Sequence, residues 1–464
     1  MRADHISPLD MFKIGVGPSS SHTVGPMVAA LAFRESALAW LKNAKPGNYS
    51  MLVELYGSLS LTGQGHQTDG AVCAGLAGLN PKSSQVADIW GAMGKLEKEE
   101  TLDFGTASKV KFKPSQDIKW YAWSFNGESL PHPNTMRFCL MQDAEPVLSE
   151  VILSVGGGFI EKLEDTKGLN SDSLKNSRFK DLPYPYNSAA EFVEQVETSG
   201  KQPWELVIAN QEALGLSEAS LRERLSEILQ VFENCIESGL KAEGILPGGL
   251  NVRRRAKSLY EKIMAGKESS WSSGLGLKPS VYAIAVNEEN AAGGRVVTAP
   301  TNGSSGLIPA VFRTLKESRD LSHETLQNGL IVASVVGALV KTHASISGAE
   351  VGCQGEVGTS CAMAAAGATA MLGGTVRQIE QAAEIGIEHH LGMTCDPIKG
   401  LVQVPCIERN AMGAVKALNA AELSLAGDGQ HMISLDKALL VMKQTGLDMN
   451  QKYKETATGG LALG

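Results

Sequence analysis

Three residues stand out for chemistry: Cys353, Cys395 and Cys406, set 42 and 11 positions apart in a stretch, 349–410, that is otherwise small, apolar and helix-forming. Each lies beside a residue that bends the backbone. Gly352 precedes Cys353, Pro397 follows Cys395 by two, and Pro405 precedes Cys406. Three soft ligands without a fourth suit an iron–sulfur cluster that keeps one iron open to a small molecule. The spacing alone is a weak signal, since cluster ligands often come in tight Cys-x-x-Cys runs. Zinc-finger ligation is poorly supported, because no two cysteines are two to four residues apart. Cys361, eight positions after Cys353, is a rival ligand; among alanines it also reads as a core residue, as do Cys73, Cys139 and Cys235.

Other residues could serve a substrate beside such a centre. The loop from Gly15 to Pro26 carries Ser19, Ser20, Ser21, His22 and Thr23 just before a helical pattern. Hydroxyls and free amides at a helix start make a seat for a carboxylate or phosphate, although an ordinary capped turn has the same composition. His66 stands among glycines, where its ring is not needed for packing, so it is a candidate acid–base group as well as a plain loop histidine. His132-Pro-Asn134 is a second polar corner, for which turn chemistry is the competing account. Asn302 and Gly303 lie in a polar loop, Thr298 to Gly306, that opens another helix and reads equally as a helix cap.

Elements must position these residues. At 464 residues the chain suits two or three domains. Hydrophobic residues make up 43%, aromatics only 5%, and glycines number 50, which implies helices packed closely through small residues. A formal charge of −8 with no long basic stretch argues against nucleic acid, and Arg253–Arg255, the densest basic run, reads as a solvated helix face. The first ten residues carry charge where a signal peptide needs an apolar core, and seven cysteines at irregular spacing are no disulfide framework. A reducing, cytoplasmic location is expected. The uncharged run Val357 to Val376 is rich in Ala, Gly and Thr and reads as a buried soluble helix, so no membrane partner is expected.

Helical periodicity after Pro26, a strand over Met51–Tyr56, a small-residue helix from Ala71 to Leu79, and β-patterned runs at 109–112, 118–125, 135–141 and 147–155 predict an α+β domain over residues 1–160. Residues 161–203 are polar, with a Pro-Tyr-Pro-Tyr segment, and read as an interdomain connection. Nearly all of 204–464 has helical periodicity broken by glycine-rich turns. The predicted fold class is therefore two-domain, with an N-terminal α+β domain and a C-terminal all-α domain.

Taken in order, Pro18-Ser-Ser-Ser-His-Thr-Val-Gly25, Gly57-Ser-Leu-Ser-Leu-Thr-Gly-Gln-Gly-His66, His132-Pro-Asn134, Ser154-Val-Gly-Gly-Gly158, Ala299-Pro-Thr-Asn-Gly303 and the three cysteines make the chain resemble, over nearly its whole length, the single-chain iron–sulfur L-serine dehydratases. The resemblance implies a [4Fe–4S] cluster on Cys353, Cys395 and Cys406, and L-serine as the small-molecule substrate, converted to pyruvate and ammonia without pyridoxal phosphate. It points to His66 as the base that takes the α-proton. Ser19, Ser20, Ser21, His22 and Thr23 would bind the substrate carboxylate, with His132, Asn134, Asn302 and Gly303 as further substrate contacts. A homodimer is the default expectation. The family's tail carries a terminal cysteine that can reach the open iron, whereas this chain reads Tyr453-Lys-Glu-Thr-Ala-Thr-Gly-Gly-Leu-Ala-Leu-Gly464; the expectation is a site closed at rest by water or a small anion. Two rival readings stay open: a pyridoxal-phosphate ammonia-lyase using Lys341 or Lys399, and a non-catalytic amino-acid sensor built on the cluster.

Overall fold

The computed structural model describes residues 2–106, 109–122, 124–125, 128–163, 182–266 and 276–463. The N-terminal region contains a mixed sheet. After strand β1 (Lys13–Val16) and helix α1 (Gly25–Leu41) come β2 (Tyr49–Tyr56), α2 (Thr68–Leu76) and α3 (Val86–Glu99). The strands β3 (Thr101–Leu102), β4 (Val110–Lys111), β5 (Ile118–Tyr121), β6 (Thr135–Gln142), β7 (Glu145–Ser154) and β8 (Ile160–Leu163) follow. Their order is β8-β7-β6-β2-β4-β3, with β5 also on β2. β2 runs antiparallel to β6 and parallel to β4 and β5, so it is the strand around which the sheet is built. Met51, Val53 and Leu55 alternate along β2 and meet Phe33 of α1, Phe112 and Phe138 in one core.

The C-terminal region is mostly helical. Its helices are α4 (Ala189–Ser199), α5 (Pro203–Ala213), α6 (Glu218–Lys241), α7 (Ala256–Met264), α8 (Lys278–Ala291), α9 (Leu307–Arg319), α10 (His323–His343), α11 (Thr359–Met371), α12 (Val376–Glu388), α13 (Cys406–Ala426) and α14 (Leu435–Asp448). Every residue of α11 is buried, and α9, α10, α12 and α13 pack around it. Small residues allow this approach. A Cβ on Gly367 would lie 2.9 Å from the Gly329 carbonyl oxygen, and one on Gly386 would lie 2.7 Å from the Cα of Ala362. Two helical stretches, Ser20–Leu41 and His323–His343, are long and apolar enough to cross a bilayer, but half of the first apolar window and 78% of the second are buried inside the protein.

The structure departs from the sequence expectations in three places. The C-terminal region is not wholly helical: strand β9 (Arg295–Thr298) pairs antiparallel with β1, joining the two regions. A four-residue Arg-Val-Val-Thr run is too short to show periodicity, and its partner lies far away in sequence. The first residues also pack with the helices, for Ala3, Ile6, Met11 and Phe12 belong to the helical core. Within the expected connection 161–203, residues 164–181 lie outside the described residues, but α4 is a helix capped by Ser188. Its Ala189, Phe192 and Val196 face the helical core at helical spacing.

The crossing of α1 and α2 is set by Gly75, where a Cβ would sit 2.3 Å from the Met27 carbonyl oxygen and 2.7 Å from the Ala30 Cβ. Gly75→Ala gains helix propensity of about 1 kcal/mol. The forced separation outweighs it, so a net loss of about 1–3 kcal/mol is expected. Denaturant unfolding should show the lower midpoint, and an unchanged or raised midpoint would refute this account of the crossing.

Candidate active site

Cys353 begins the turn that leads into α11, Cys395 lies in the loop after α12, and Cys406 opens α13. All three are buried. The Cys353 and Cys395 sulfurs and a Glu356 carboxylate oxygen lie within 4.8 Å of one another, and both sulfurs approach Glu356 Oε2 at 3.6 Å. Cys406 has the free amides of a helix N-terminus, which favour a thiolate. One turn on, Arg409 donates to the Thr394 carbonyl at 2.6 Å and to Asp396 Oδ1 at 3.1 Å. Burial would lower the Arg409 guanidinium, but Cys353, Cys406 and Asp396 hold it up. Two glycines leave room here. A Cβ on Gly348 would meet Glu356 Oε2 at 2.6 Å and Cys395 Sγ at 3.1 Å, and one on Gly303 would meet Glu356 Oε1 at 3.1 Å. Cys361 instead faces the core, where its sulfur contacts the Gly413 carbonyl at 3.5 Å and burial pushes the thiol up to about 12.

The N-terminal region supplies the opposite wall. Ser19 caps the tight turn Ser20–Val24 by accepting from the His22 amide at 3.1 Å, and Thr23 Oγ1 donates to the His66 carbonyl at 2.7 Å. Ser20, Ser21 and His22 are buried in that turn. The turn and the His66 loop are therefore one unit. His66 Nδ1 lies 3.0 Å from the Thr62 carbonyl, which only accepts, so Nδ1 carries the proton and Nε2 the lone pair. Nε2 is buried with no hydrogen-bond partner. Burial lowers this imidazole to about 4, against the Thr62 hydrogen bond. The His22 ring lies 4.6 Å from the His66 ring, and burial, then His66 itself, lowers it well below the ordinary histidine value. Both rings are neutral at neutral pH.

His132 and Asn134 join this wall to the cysteine loops. His132 Nδ1 accepts from the Asn134 amide at 3.0 Å, so its Nε2–H donates to Glu350 Oε1 at 3.2 Å, three residues before Cys353. Asn134 Oδ1 is buried without a partner. The side-chain amide of Asn302 is engaged inside the protein. Its Nδ2 donates to the Val16 carbonyl at 2.9 Å and to Asn290 Oδ1 at 3.0 Å, and its Oδ1 accepts from Thr298 at 2.6 Å, so the amide is spent on holding β1 and on presenting Gly303 to Glu356. Of the lysines considered for a Schiff base, Lys341 lies 3.9 Å from the Phe159 ring centroid and Lys399 is exposed.

The tail closes the space between the walls. Residue 454 bridges to Cys395, with the Cys395 amide donating to the Tyr453 carbonyl and the Glu455 amide to the Cys395 carbonyl, each at 2.8 Å. Glu455 is buried, and its Oε1 lies 3.4 Å from His22 Nδ1. Sequence reading missed Glu356, Arg409 and Glu455. Glu356 and Arg409 each follow a cysteine by three residues, a helix-face spacing that was there to be used, while nothing local marks Glu455.

A cysteine-rich potential metal centre at helix ends and loops is thus faced by a neutral histidine and a hydroxyl-rich turn from a sheet-containing region, the arrangement of a metal-dependent enzyme site. The sequence model of the serine dehydratase beta chain matches residues 7–165, and that of the alpha chain matches 198–462. The chain is 44% identical over 469 residues to the L-serine dehydratase TdcG of Escherichia coli, covering 99% of each. It is 44% identical to an L-serine dehydratase of Streptomyces coelicolor, over 99% of this chain and 98% of that one, and 38% identical to one of Helicobacter pylori, over 98% of each. The chain belongs to the single-chain serine dehydratase family.

Family membership implies an iron–sulfur cluster, and the residues present fit one. The donors are soft and buried, and Gly348 and Gly303 let the Glu356 carboxylate lie against the backbone beside them. Cys395 is pushed well above the ordinary thiol value by its hydrogen bond with Cys353 and by burial, and Cys406 by burial and the nearby Cys353, so a cationic group is what would let the set ionise. Replacing Cys353, Cys395 or Cys406 by Ala should abolish bound iron and sulfide, whereas Cys361→Ala should keep both. Iron analysis of anaerobically prepared protein decides this, and an iron-free Cys361→Ala protein would overturn the ligand assignment.

Proposed function

We propose that the protein is a cytoplasmic L-serine dehydratase of amino-acid catabolism, acting as a homodimer and converting L-serine to pyruvate and ammonia with a [4Fe–4S] cluster and no pyridoxal phosphate. The observation that carries the reading is the lone-pair nitrogen of His66, buried and unpartnered in the wall opposite the cysteines of a serine dehydratase chain. Held by Cys353, Cys395 and Cys406, the cluster would supply Lewis-acid help to the departing hydroxyl.

The remaining work falls to the chain. The Ser19–Thr23 turn, with its hydroxyls and amides, receives the substrate carboxylate, and Asn134 Oδ1 offers a free acceptor. His66 takes the α-proton at Nε2, while Nδ1–H stays on the Thr62 carbonyl and fixes the ring. Loss of that proton and of the β-hydroxyl leaves 2-aminoacrylate. It tautomerises to the imine, and water replaces the nitrogen to give pyruvate and ammonia. Burial of both histidines keeps them neutral, so the base is ready at neutral pH and is lost only as pH falls through the depressed value of about 4.

His66→Ala should retain iron and lower kcat by roughly 10²–10⁴-fold. Near-normal turnover would remove His66 as the base. The acid limb of kcat/KM should likewise fall near pH 4 and not in the usual histidine range around 6.5, as a pH–rate profile of the anaerobic enzyme would show. Assays with L-serine and L-threonine test the reaction itself, and a cluster-loaded protein that turns over neither would refute the proposed activity.

A further inference from the structure

The serine turn, the cysteines and His66 account for the carboxylate, the hydroxyl and the α-proton of an amino-acid substrate, but they leave its ammonium group only one neutral acceptor, Asn134 Oδ1. An ammonium taken out of water needs a carboxylate or several acceptors. Among the described residues four buried or half-buried carboxylates come near the site, and three are occupied. Asp396 accepts from Arg409, Thr394 and the Leu461 amide. Glu356 contacts both Cys353 and Cys395, and Glu350 binds His132 and Ser345. The fourth is Glu455. It is only 5% exposed, its Oε1 lies against His22 Nδ1, and its Oε2 is buried with no hydrogen-bond partner.

Glu455 is also held in place from several sides. Its carbonyl accepts from Ser58 Oγ at 2.8 Å, its amide binds the Cys395 carbonyl, and the tail beyond it is tied by the Leu461 amide to Asp396 Oδ2 at 2.9 Å. A Cβ on Gly460 would lie 2.1 Å from that same Asp396 oxygen, so the tail approaches as closely as backbone can. Glu455 itself has a φ of 57° and Ala457 one of 54°, left-handed conformations that cost side-chain-bearing residues energy and persist where the surroundings impose them. The strain aims a carboxyl between His22 and the cysteine loops, with no Lys or Arg within ion-pair distance of it among the described residues.

We propose that Glu455 is a substrate-binding residue whose Oε2 receives the α-ammonium of the amino acid, and so selects amino acids over the corresponding hydroxy acids. The assignment rests on the reading of this site as an amino-acid dehydratase. It places the ammonium on the tail side, leaving the α-hydrogen to be presented to His66 Nε2, and it makes the tail a part of the substrate pocket.

The test uses the isosteric Glu455→Gln variant and Glu455→Asp, both prepared anaerobically with iron content measured. For Glu455→Gln the KM for L-serine should rise roughly 10–100-fold, the weight of a hydrogen bond to a charged group. The inhibition constant of 3-hydroxypropionate, which keeps the hydroxyl and carboxylate but lacks the amine, should change less than about threefold, and iron should be unchanged. Glu455→Asp, which keeps the charge, should recover part of the loss. Equal weakening of L-serine and 3-hydroxypropionate would overturn the proposal in favour of a purely structural tail, and tighter L-serine binding would overturn it in favour of a blocking carboxyl. Calorimetry with L-serine runs in parallel. Glu455-dependent binding without turnover would refute the reaction and keep the ammonium seat, whereas no binding to the unaltered protein would refute both.

Discussion

Desolvation governs this molecule at one place. Between the sheet-containing region and the helices, three thiols, two histidines and the carboxyls of Glu356 and Glu455 are removed from water together. Groups of one sign cannot ionise side by side in a dry space, so the ligand-free chain keeps most of them neutral. Glu356 and Glu455 are both pushed up by burial, Glu455 well above the ordinary carboxyl value, while His22 and His66 are pushed down. The half-buried Arg409 offsets part of this. A centre so arranged favours cationic groups brought into it.

The rest of the architecture keeps that space closed and in register. Strands β1 and β9 stitch the two regions directly behind the serine turn, and Asn302 ties β1 to Asn290 of α8. Gly17 lies against α8 so closely that a Cβ would overlap the Asn290 carbonyl oxygen at 1.8 Å. On the other side, the loop between Cys395 and Cys406 packs on the His66 loop, where a Cβ on Gly65 would meet the Lys399 carbonyl oxygen at 3.1 Å. The histidine and the cysteines are thus positioned by contacts between backbones, which flex less than side chains and hold geometry to the tolerance that chemistry requires.

Glycine and alanine serve both the core and the site by the same physics. In α11 they let four helices close on one axis, and beside the cysteines the bare Cα atoms of Gly303 and Gly348 let the Glu356 carboxylate approach the backbone. The low aromatic content is then a consequence of close packing through small residues, which gains dispersion contacts from proximity in place of ring area.

Much of this was legible in the sequence. The longer strands β2, β6 and β7, the helix after Pro26, most helices beyond residue 204 and the buried run through α11 follow from local pattern, period 3.6 or 2 with glycine and proline punctuation, whereas β1, α3, α4 and the short strands β3 and β8 are not read from it. What local pattern cannot carry is a partner distant in the chain. Strand β9 exists because β1 pairs with it, the first dozen residues join the helical core although they precede the sheet, and the amide of Asn302 reaches across to the Val16 carbonyl. Glu455 is the extreme case, an ordinary glutamate in a polar tail until the Cys395 backbone and Ser58 fix it beside His22. Sequence determined which groups were available and which elements carried them; only tertiary packing decided which would lose their water together, because desolvation depends on everything that surrounds a group and not on its neighbours along the chain.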